Sequence, residues 1–295
     1  MQHVKTILSQ ILNVPHSEIK SLAPLKAGMT NNSYRFICKG ESLILRIPGK
    51  GTEKLIDRKN EAHTYHVING KNICDNVKYF DPKTGYKISE FLEPVRTCNP
   101  QNPHDLTACM EKLESFHALN FQVPYEFNLC RQIEFYESLL TGKTSFHNDY
   151  QRTKENVFSL RTFIEENIQH KTLSHIDSIH DNFLFVKKTD GSEDLRLIDW
   201  EYSGMQDPHV DLAMFCIYAA YGKTQTDDLI DIYFHGNCPR VLRIKIYAYM
   251  AVCGLLWNNW CEYKQSLGIH FGEYAERQYR YAKNFFELVK REIEK

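Results

Sequence analysis

Ser174-His-Ile-Asp-Ser-Ile-His-Asp-Asn182, followed by Ile198-Asp-Trp-Glu201, is the part of the sequence on which the fold turns. Between these polar stretches lie two short apolar runs, residues 183–186 and 195–198, around Asp190-Gly191, a hairpin turn signal. A hairpin sends the chain out along one strand and returns it along the next. The polar segments flanking it are therefore expected at the same end, which brings Asp177, Asn182 and Asp199 into one neighbourhood. Two carboxylates and a carboxamide suit a hard cation with oxygen ligands, namely Mg²⁺. Phosphoryl transfer needs such a cation to neutralise phosphate oxygens, and a carboxylate to take the acceptor hydroxyl's proton. Taken singly, each residue reads equally well as a loop cap. Their convergence on one hairpin favours chemistry.

Working outward, the chain changes texture once. Val4, Ile7, Leu8 and Ile11 recur at helical spacing in residues 3–13. Residues 33–38 and 42–47 are two β-rich runs joined by Lys39-Gly40-Glu41, which predicts an antiparallel hairpin. Residues 53–68 read as helix. Residues 77–80 and 86–91 read as strands around the turn Asp81-Pro82-Lys83-Thr84-Gly85. Beyond Pro94 helices dominate: residues 106–119, most of 131–170 with a break near Gly142, and two long C-terminal segments. In the first of these, Leu242, Ile246, Tyr249, Cys253, Leu256 and Trp260 form one apolar face. The expectation is an α+β chain with two lobes, a small β-rich lobe over residues 1–93 and a larger helical lobe over 94–295.

With 36 basic and 37 acidic residues the formal net charge is -1, which does not favour a nucleic-acid binder. No window approaches the run of about 18 apolar residues that a membrane helix requires. The polar N-terminal stretch does not read as a secretory leader. The nine cysteines form no Cys-x-x-Cys pair, so they read as reduced thiols in a cytoplasmic protein.

His175-x-Asp177-x-x-x-x-Asn182 resembles the catalytic loop of the aminoglycoside phosphotransferase and choline kinase superfamily, relatives of the protein kinases. Ile198-Asp-Trp-Glu-Tyr202 is similar to that superfamily's metal-binding segment, and Asp207-Pro-x-x-Asp211-Leu-Ala to the stretch after it. Gly28-Met-Thr-Asn-Asn-Ser33 resembles the loop covering the nucleotide, with Gly28, Thr30 and Asn31 in contact positions. The resemblance implies a protein-kinase-like fold using ATP and Mg²⁺. Asp177 would be the catalytic base, Asn182 and Asp199 the metal ligands, and His175 and Asp211 braces of the catalytic loop. Arg46 would contact the ATP phosphates and pair with Glu61, while Glu90, Phe91 and Leu92 would form the hinge meeting the adenine. Two features depart from the common pattern. The covering loop has one glycine, and Arg46 stands where many relatives carry Lys, although its fork-shaped guanidinium is a competent phosphate contact. Asp181, in the same polar loop, is a rival metal ligand or proton acceptor.

The acceptor question turns on Leu255-Leu-Trp-Asn-Asn-Trp-Cys-Glu-Tyr263. Trp257 and Trp260 stand three apart on a helix, so their rings share a face. Aromatics at this spacing are usually core, yet two indoles can also wall a quaternary ammonium through cation–π attraction. Trp-x-x-Trp followed by Phe271-Gly-Glu-Tyr274-Ala resembles the choline-binding end of choline and ethanolamine kinases of the bacterial type. The implied cage is Trp257, Trp260 and Tyr274. Glu201 is a candidate counter-charge for the substrate or a loop ion pair, and Glu262 is a further carboxylate for an amine. His117 reads as a satisfied core histidine. The expected activity is phosphorylation of a small amino-alcohol, choline first, with ethanolamine, thiamine or an aminoglycoside as alternatives. A catalytically silent, kinase-shaped binding module is the reading from another class.

Overall fold

The computed structural model describes residues 1–25, 30–93, 95–140 and 145–295. Gly28, Pro94 and Gly142, all named above, lie outside the described residues. The chain divides into two compact units: Met1–Arg96 with Leu184–Glu201, and Thr97–Phe183 with Tyr202–Lys295. The hairpin after the catalytic-loop motif thus groups with the N-terminal residues.

The first unit is built on a five-stranded antiparallel sheet. It opens with α1 (Gln2–Leu12), β1 (Lys20–Pro24), β2 (Asn31–Cys38) and β3 (Glu41–Pro48). The β2–β3 turn has positive φ at both central residues, Lys39 (50°) and Gly40 (82°), the geometry that matches the twist of a two-residue hairpin. The register runs from Asn31 opposite Pro48 to Cys38 opposite Glu41. It places Leu43 and Leu45 on the core face, while Arg46 and Ile44 alternate to the other. Next come α2 (Arg58–Ile68), β4 (Val77–Phe80), β5 (Lys87–Glu90) and β6 (Val95–Thr97). The sheet order is β1-β2-β3-β5-β4. Asp57 caps α2 by accepting the amides of Lys59 and Asn60 at 2.9 and 3.2 Å. Val4, Ile7 and Leu8 of α1 bury themselves against Phe36, Leu43, Leu45 and Ile88.

The second unit carries α3 (Pro103–Ala118), α4 (Leu129–Ser138), α5 (Tyr150–Ser159), α6 (Arg161–Glu166) and β7 (Thr172–Ser174). The chain then enters β8 (Phe183–Lys187) and β9 (Glu193–Leu197), which share a three-stranded sheet ordered β6-β8-β9. It returns through β10 (Gly204–Gln206), antiparallel to β7, and ends in α7 (His209–Tyr218), α8 (Lys223–Tyr233), α9 (Arg240–Ser266) and α10 (Glu273–Ile293). The stretch 131–170, expected to be largely helical, is broken into α4, α5 and α6, and residues 167–170 leave the helix. The strands β1, β6, β7 and β10 were not legible: three of them are only three residues long, too short to show an alternation.

One expectation needs correction. The segment that forms α9 reads as having a single apolar face, but Lys245, Asn258, Asn259, Glu262 and Lys264 are buried with its apolar residues. The helix is central, packed by α4, α5, α7 and α10, so its polar side chains must find partners inside the protein. Lys245 Nζ meets Asp207 Oδ2 at 2.5 Å and Asn167 O at 2.9 Å. Asn259 meets the Tyr150 hydroxyl at 2.6 Å.

The α9–α10 contact depends on Gly254. A Cβ there would lie 2.7 Å from Ala282 N and Gln278 O, and 2.8 Å from Tyr281 Cβ. Two of those atoms are backbone and cannot step aside. Gly254→Val is therefore expected to cost about 1–3 kcal/mol or more through overpacking. Urea unfolding checks this, and an unchanged midpoint would contradict so close an approach.

Candidate active site

In the first unit the motif residues gather around one guanidinium. Arg46, on β3, is 5% exposed, and Glu61, in the first turn of α2, is 1% exposed. Arg46 Nη1 lies 2.5 Å from Glu61 Oε1, 3.3 Å from Asp199 Oδ1 and 3.7 Å from Glu201 Oε2. A second guanidinium, Arg58 at the start of α2, bridges Glu61 Oε2 at 2.7 Å and Glu201 Oε2 at 3.0 Å. Asn31 Nδ2 donates to Glu201 Oε2 at 2.9 Å and to Thr30 Oγ1 at 3.1 Å. Glu201, a candidate counter-charge for the substrate, is thus held within a loop ion-pair network. Arg58 is a participant that the sequence reading missed. Its signal is the i,i+3 spacing to Glu61, which many exposed helical pairs also show.

This cluster has two open valences. Arg46 Nε and Nη2 are buried without a hydrogen-bond partner. An unsatisfied buried donor costs about 1–3 kcal/mol, so two on one guanidinium mark a place made for an anionic oxygen. The charge count is also uneven, with three carboxylates against two guanidinium groups. The ligand atoms of Glu61, Asp199 and Glu201 lie within 4.8 Å of one another. Burial, and next the neighbouring Glu201 carboxylate, push the Asp199 carboxyl up to about 7, against the pull of Arg46. A proton on Asp199 relieves the charge that a divalent cation would neutralise, so the donor set fits Mg²⁺. Asp199 itself sits at φ 67°, in the left-handed region. Trp200 anchors the turn beside it: its ring is fully buried and its Nε1 donates to Leu197 O at 2.7 Å.

At the end of β5, the Glu90 amide donates to Asn76 O at 2.9 Å and the Phe91 amide to Ser42 O at 3.0 Å. Both amides are engaged in continuing the sheet. The Phe91 ring lies 4.4 Å from the Arg35 guanidinium, which also pairs with Glu93 at 2.5 Å.

In the second unit the catalytic-loop motif is braced from α7. The Asp211 carboxylate is fully buried. It accepts the amides of His175 at 2.9 Å and Ile176 at 2.7 Å, and contacts His117 Nε2 at 2.9 Å. Ile176 has φ 71°, a region that disfavours β-branched residues, and the bond to Asp211 offsets that strain. Ser178 Oγ donates to Asp211 O at 2.6 Å. His117 also meets the Tyr233 hydroxyl through Nδ1 at 2.9 Å. Both ring nitrogens are bonded, as for a satisfied core histidine, but its partner makes it part of the brace. Asn182 Nδ2 donates to Asp177 O at 2.8 Å, which leaves Oδ1 to accept or to ligate. Asp181 Oδ2 accepts from the Tyr218 hydroxyl at 2.9 Å.

The aromatic residues of the same unit form a connected wall. Trp257 and Trp260 have ring centroids 5.9 Å apart and are 5% and 2% exposed. Tyr202 meets Trp257 edge-on at 5.1 Å, and Phe271 lies 5.0 Å from Trp260. Trp260 Nε1 donates to the Tyr202 hydroxyl at 2.9 Å, and Trp257 Nε1 to Met214 Sδ at 2.7 Å. Both indole N–H groups are committed, and Lys264 Nζ already lies 5.6 Å from the Trp260 ring centroid. Tyr274 packs on Tyr218 at 5.9 Å. Burial raises the Tyr274 phenol well above its ordinary range, with Cys261 and then the Asp177 carboxylate adding to the effect. Glu262 points elsewhere, its Oε1 taking Ser145 Oγ at 2.6 Å and the Phe146 amide at 3.3 Å.

The raised Asp199 carboxyl has a thermodynamic signature. With a folded value near 7 and an ordinary value of 3.8, the native protein holds a proton that the unfolded chain releases. Its stabilising contribution is present at low pH and lost as pH rises through about 7. In Mg²⁺-free buffer the wild type is expected to lose more stability between pH 5 and 8 than Asp199→Asn, measured by urea unfolding. Equal losses would rule out the elevated carboxyl.

Comparison with known proteins gives the family and the fold. Residues 22–235 match the family model for choline/ethanolamine kinase. The LicA protein of Haemophilus influenzae is 26% identical over 259 residues, covering 84% of this chain and 94% of that protein. Mouse ethanolamine kinase 1 is 27% identical over 176 residues, covering 55% of this chain and 47% of that protein. Among solved structures, choline kinase LicA from Streptococcus pneumoniae superposes with a TM-score of 0.82 at 26% identity, covering 97% of this chain and 98% of that one. An aminoglycoside phosphotransferase shares the fold, with a TM-score of 0.64 at 14% identity and 98% of each chain covered. The fold is the protein-kinase-like α+β fold, and the chain belongs to the choline/ethanolamine kinase family, whose members are phosphotransferases acting on an alcohol group.

Proposed function

We propose that this protein transfers the terminal phosphoryl group of ATP to the hydroxyl of a small amino-alcohol, with choline as the preferred acceptor. The observation that carries the acceptor reading is the position of Tyr274. Its ring packs on Tyr218, whose hydroxyl donates to Asp181 in the same loop as Asp177, so a carboxylate base and an aromatic surface belong to one unit. An acceptor carrying a cation at one end and a hydroxyl at the other suits such a pairing. Ring faces attract a quaternary ammonium by about 0.5–2 kcal/mol each. A primary amine gains more from carboxylates; Glu201 is held by Arg58 and Asn31, while Glu262 is held through Oε1 and keeps Oε2 open.

In this reading Asp177 takes the hydroxyl proton, and Trp257, Trp260 and Tyr274 bind the cationic end. Asn182 and Asp199 would hold Mg²⁺, whose charge would serve to neutralise the phosphate oxygens. Arg46, steadied by Glu61, offers Nε and Nη2 to the phosphates. Asn31 and Thr30 fix the first residues of the strand after the covering loop. Of the hinge residues Glu90, Phe91 and Leu92, Leu92 is the one whose amide is left to meet adenine, since the amides of Glu90 and Phe91 are engaged. His175 and Asp211 position the loop without touching substrate. The LicA structure solved with AMP supports a nucleotide as the phosphoryl donor. The nine cysteines are all free thiols, and no helix among the described residues is long and apolar enough to cross a membrane. Both support our placing the enzyme in the cytoplasm.

The test is ADP release with Mg²⁺ and ATP over choline, ethanolamine, thiamine and an aminoglycoside. Choline is expected to give the highest kcat/KM. Asp177→Ala is expected to lower kcat by about 10²–10⁴-fold, the usual contribution of a positioned base, with nucleotide binding retained. Silence across the panel would favour the binding-module reading, and full turnover by Asp177→Ala would remove it as the base.

A further inference from the structure

Within the second unit, a groove runs between the turn joining α7 to α8 and one face of α10. It is lined by Tyr221, Gly222, Arg277, Arg280, Tyr281 and Asn284, among others, and no carboxylate lines it. The two arginines stand three apart on α10, so their side chains emerge on the same face. Neither makes an ion pair among the described residues. Glu273 and Glu276, each one turn before an arginine, do not neutralise them at ion-pair distance. Arg277 Nε is buried and has no hydrogen-bond partner. The Arg277 guanidinium instead lies over the Tyr274 ring, 5.5 Å from its centroid.

The opposite wall is set up for the same sign of ligand. Gly222 is the N-cap of α8, and having no side chain it supplies no capping oxygen to the helix's first amides. The helix end adds its own partial positive charge. Lys223, the first residue of α8, pairs with Asp227 at 2.5 Å, and Arg243 of α9 takes the same carboxylate at 3.0 Å, so it is committed away from the groove. The wall is also fixed in place, because the Tyr281 hydroxyl donates to Tyr221 O at 2.8 Å and ties α10 to the turn. The Gly222 amide is taken by Gln225 Oε1 at 3.0 Å, so two guanidinium groups and a carboxamide are what face this space.

We propose that this groove is a binding site for a phosphate-type dianion, held by Arg277, Arg280 and Asn284. A guanidinium fork grips two phosphate oxygens at once, and the Asn284 amide can donate to a third. Such an anion could be free phosphate or the phosphate end of a monoester. The groove meets the acceptor reading at one residue, Arg277, whose guanidinium lies over the Tyr274 ring, so the test uses Arg280 and Asn284.

The test is calorimetric titration of the full chain, with Mg²⁺ and ADP saturating so that the nucleotide contacts are occupied. Inorganic phosphate and glycerol 3-phosphate are the two probes. Wild type is expected to bind at least one of them, and Arg280→Gln or Asn284→Ala to weaken that binding, by about tenfold for the arginine, the loss of one charge-assisted contact. Arg280 is exposed, so Arg280→Gln should keep its Tm and its ADP-release rate, which serve as folding controls. Tighter binding of glycerol 3-phosphate would identify a monoester as the ligand, and equal or weaker binding would identify the free anion. No binding of either probe by wild type, or the same affinity in wild type and Arg280→Gln, would overturn the site.

Discussion

The Asp211 carboxylate holds the second unit's chemistry in place. It takes the amides of His175 and Ile176 and the ring of His117, all inside a dry interior. Ile176 is β-branched and sits in a left-handed conformation that a free chain would avoid. Bonds to a buried carboxylate are stronger than neutral ones and fix the direction of the backbone. The residue after Ile176 is Asp177, so the strain is stored next to the proposed base. Ser178 then bonds back to the Asp211 carbonyl, closing the loop against α7. Aromatic packing extends the same order outward, from Tyr218 at the end of α7 to Tyr274 on α10.

The first unit solves a different problem. It gathers three carboxylates, of which Asp199 is half-buried, and two arginines without cancelling their charge. Removing one partner of such a buried pair is costly, about 3–5 kcal/mol, because the other is left uncompensated. Arg46 is held on one edge by Glu61 and leaves its other donors open. Asp199 responds to the surplus negative charge by binding its proton more tightly. Both features describe a site that is completed from outside, by an anionic phosphate on one edge and a cation on the other.

Much of this was legible in the sequence, and the parts that were not have physical reasons. The β2–β3 hairpin was visible because Lys39-Gly40 is turn chemistry between two alternating runs. The β8–β9 hairpin was visible for the same reason at Asp190-Gly191, and it drew notice to Asp177, Asn182 and Asp199. Short strands such as β7 and β10 were missed because three residues carry no period. The buried polar face of α9 was missed because Asn258, Asn259 and Glu262 look like a solvated side until α4, α5 and α10 cover them. Arg58 and His117 were missed as site members for a related reason. Their partners, Glu201 and Asp211, are 143 and 94 residues away in the chain, and no local pattern announces such a contact.

Amide hydrogen exchange on Asp211→Asn tests most directly whether this carboxylate orders the catalytic loop. The substitution keeps the side chain's shape but replaces one acceptor oxygen with a donor, so it breaks one of the two backbone bonds without opening a cavity. Exchange is expected to accelerate in the segment 172–183, by about tenfold or more for the loss of one charged hydrogen bond. Amides of α9 should stay as protected as in the wild type. Unchanged protection of 172–183 would contradict the account, and so would a loss spread evenly over the second unit.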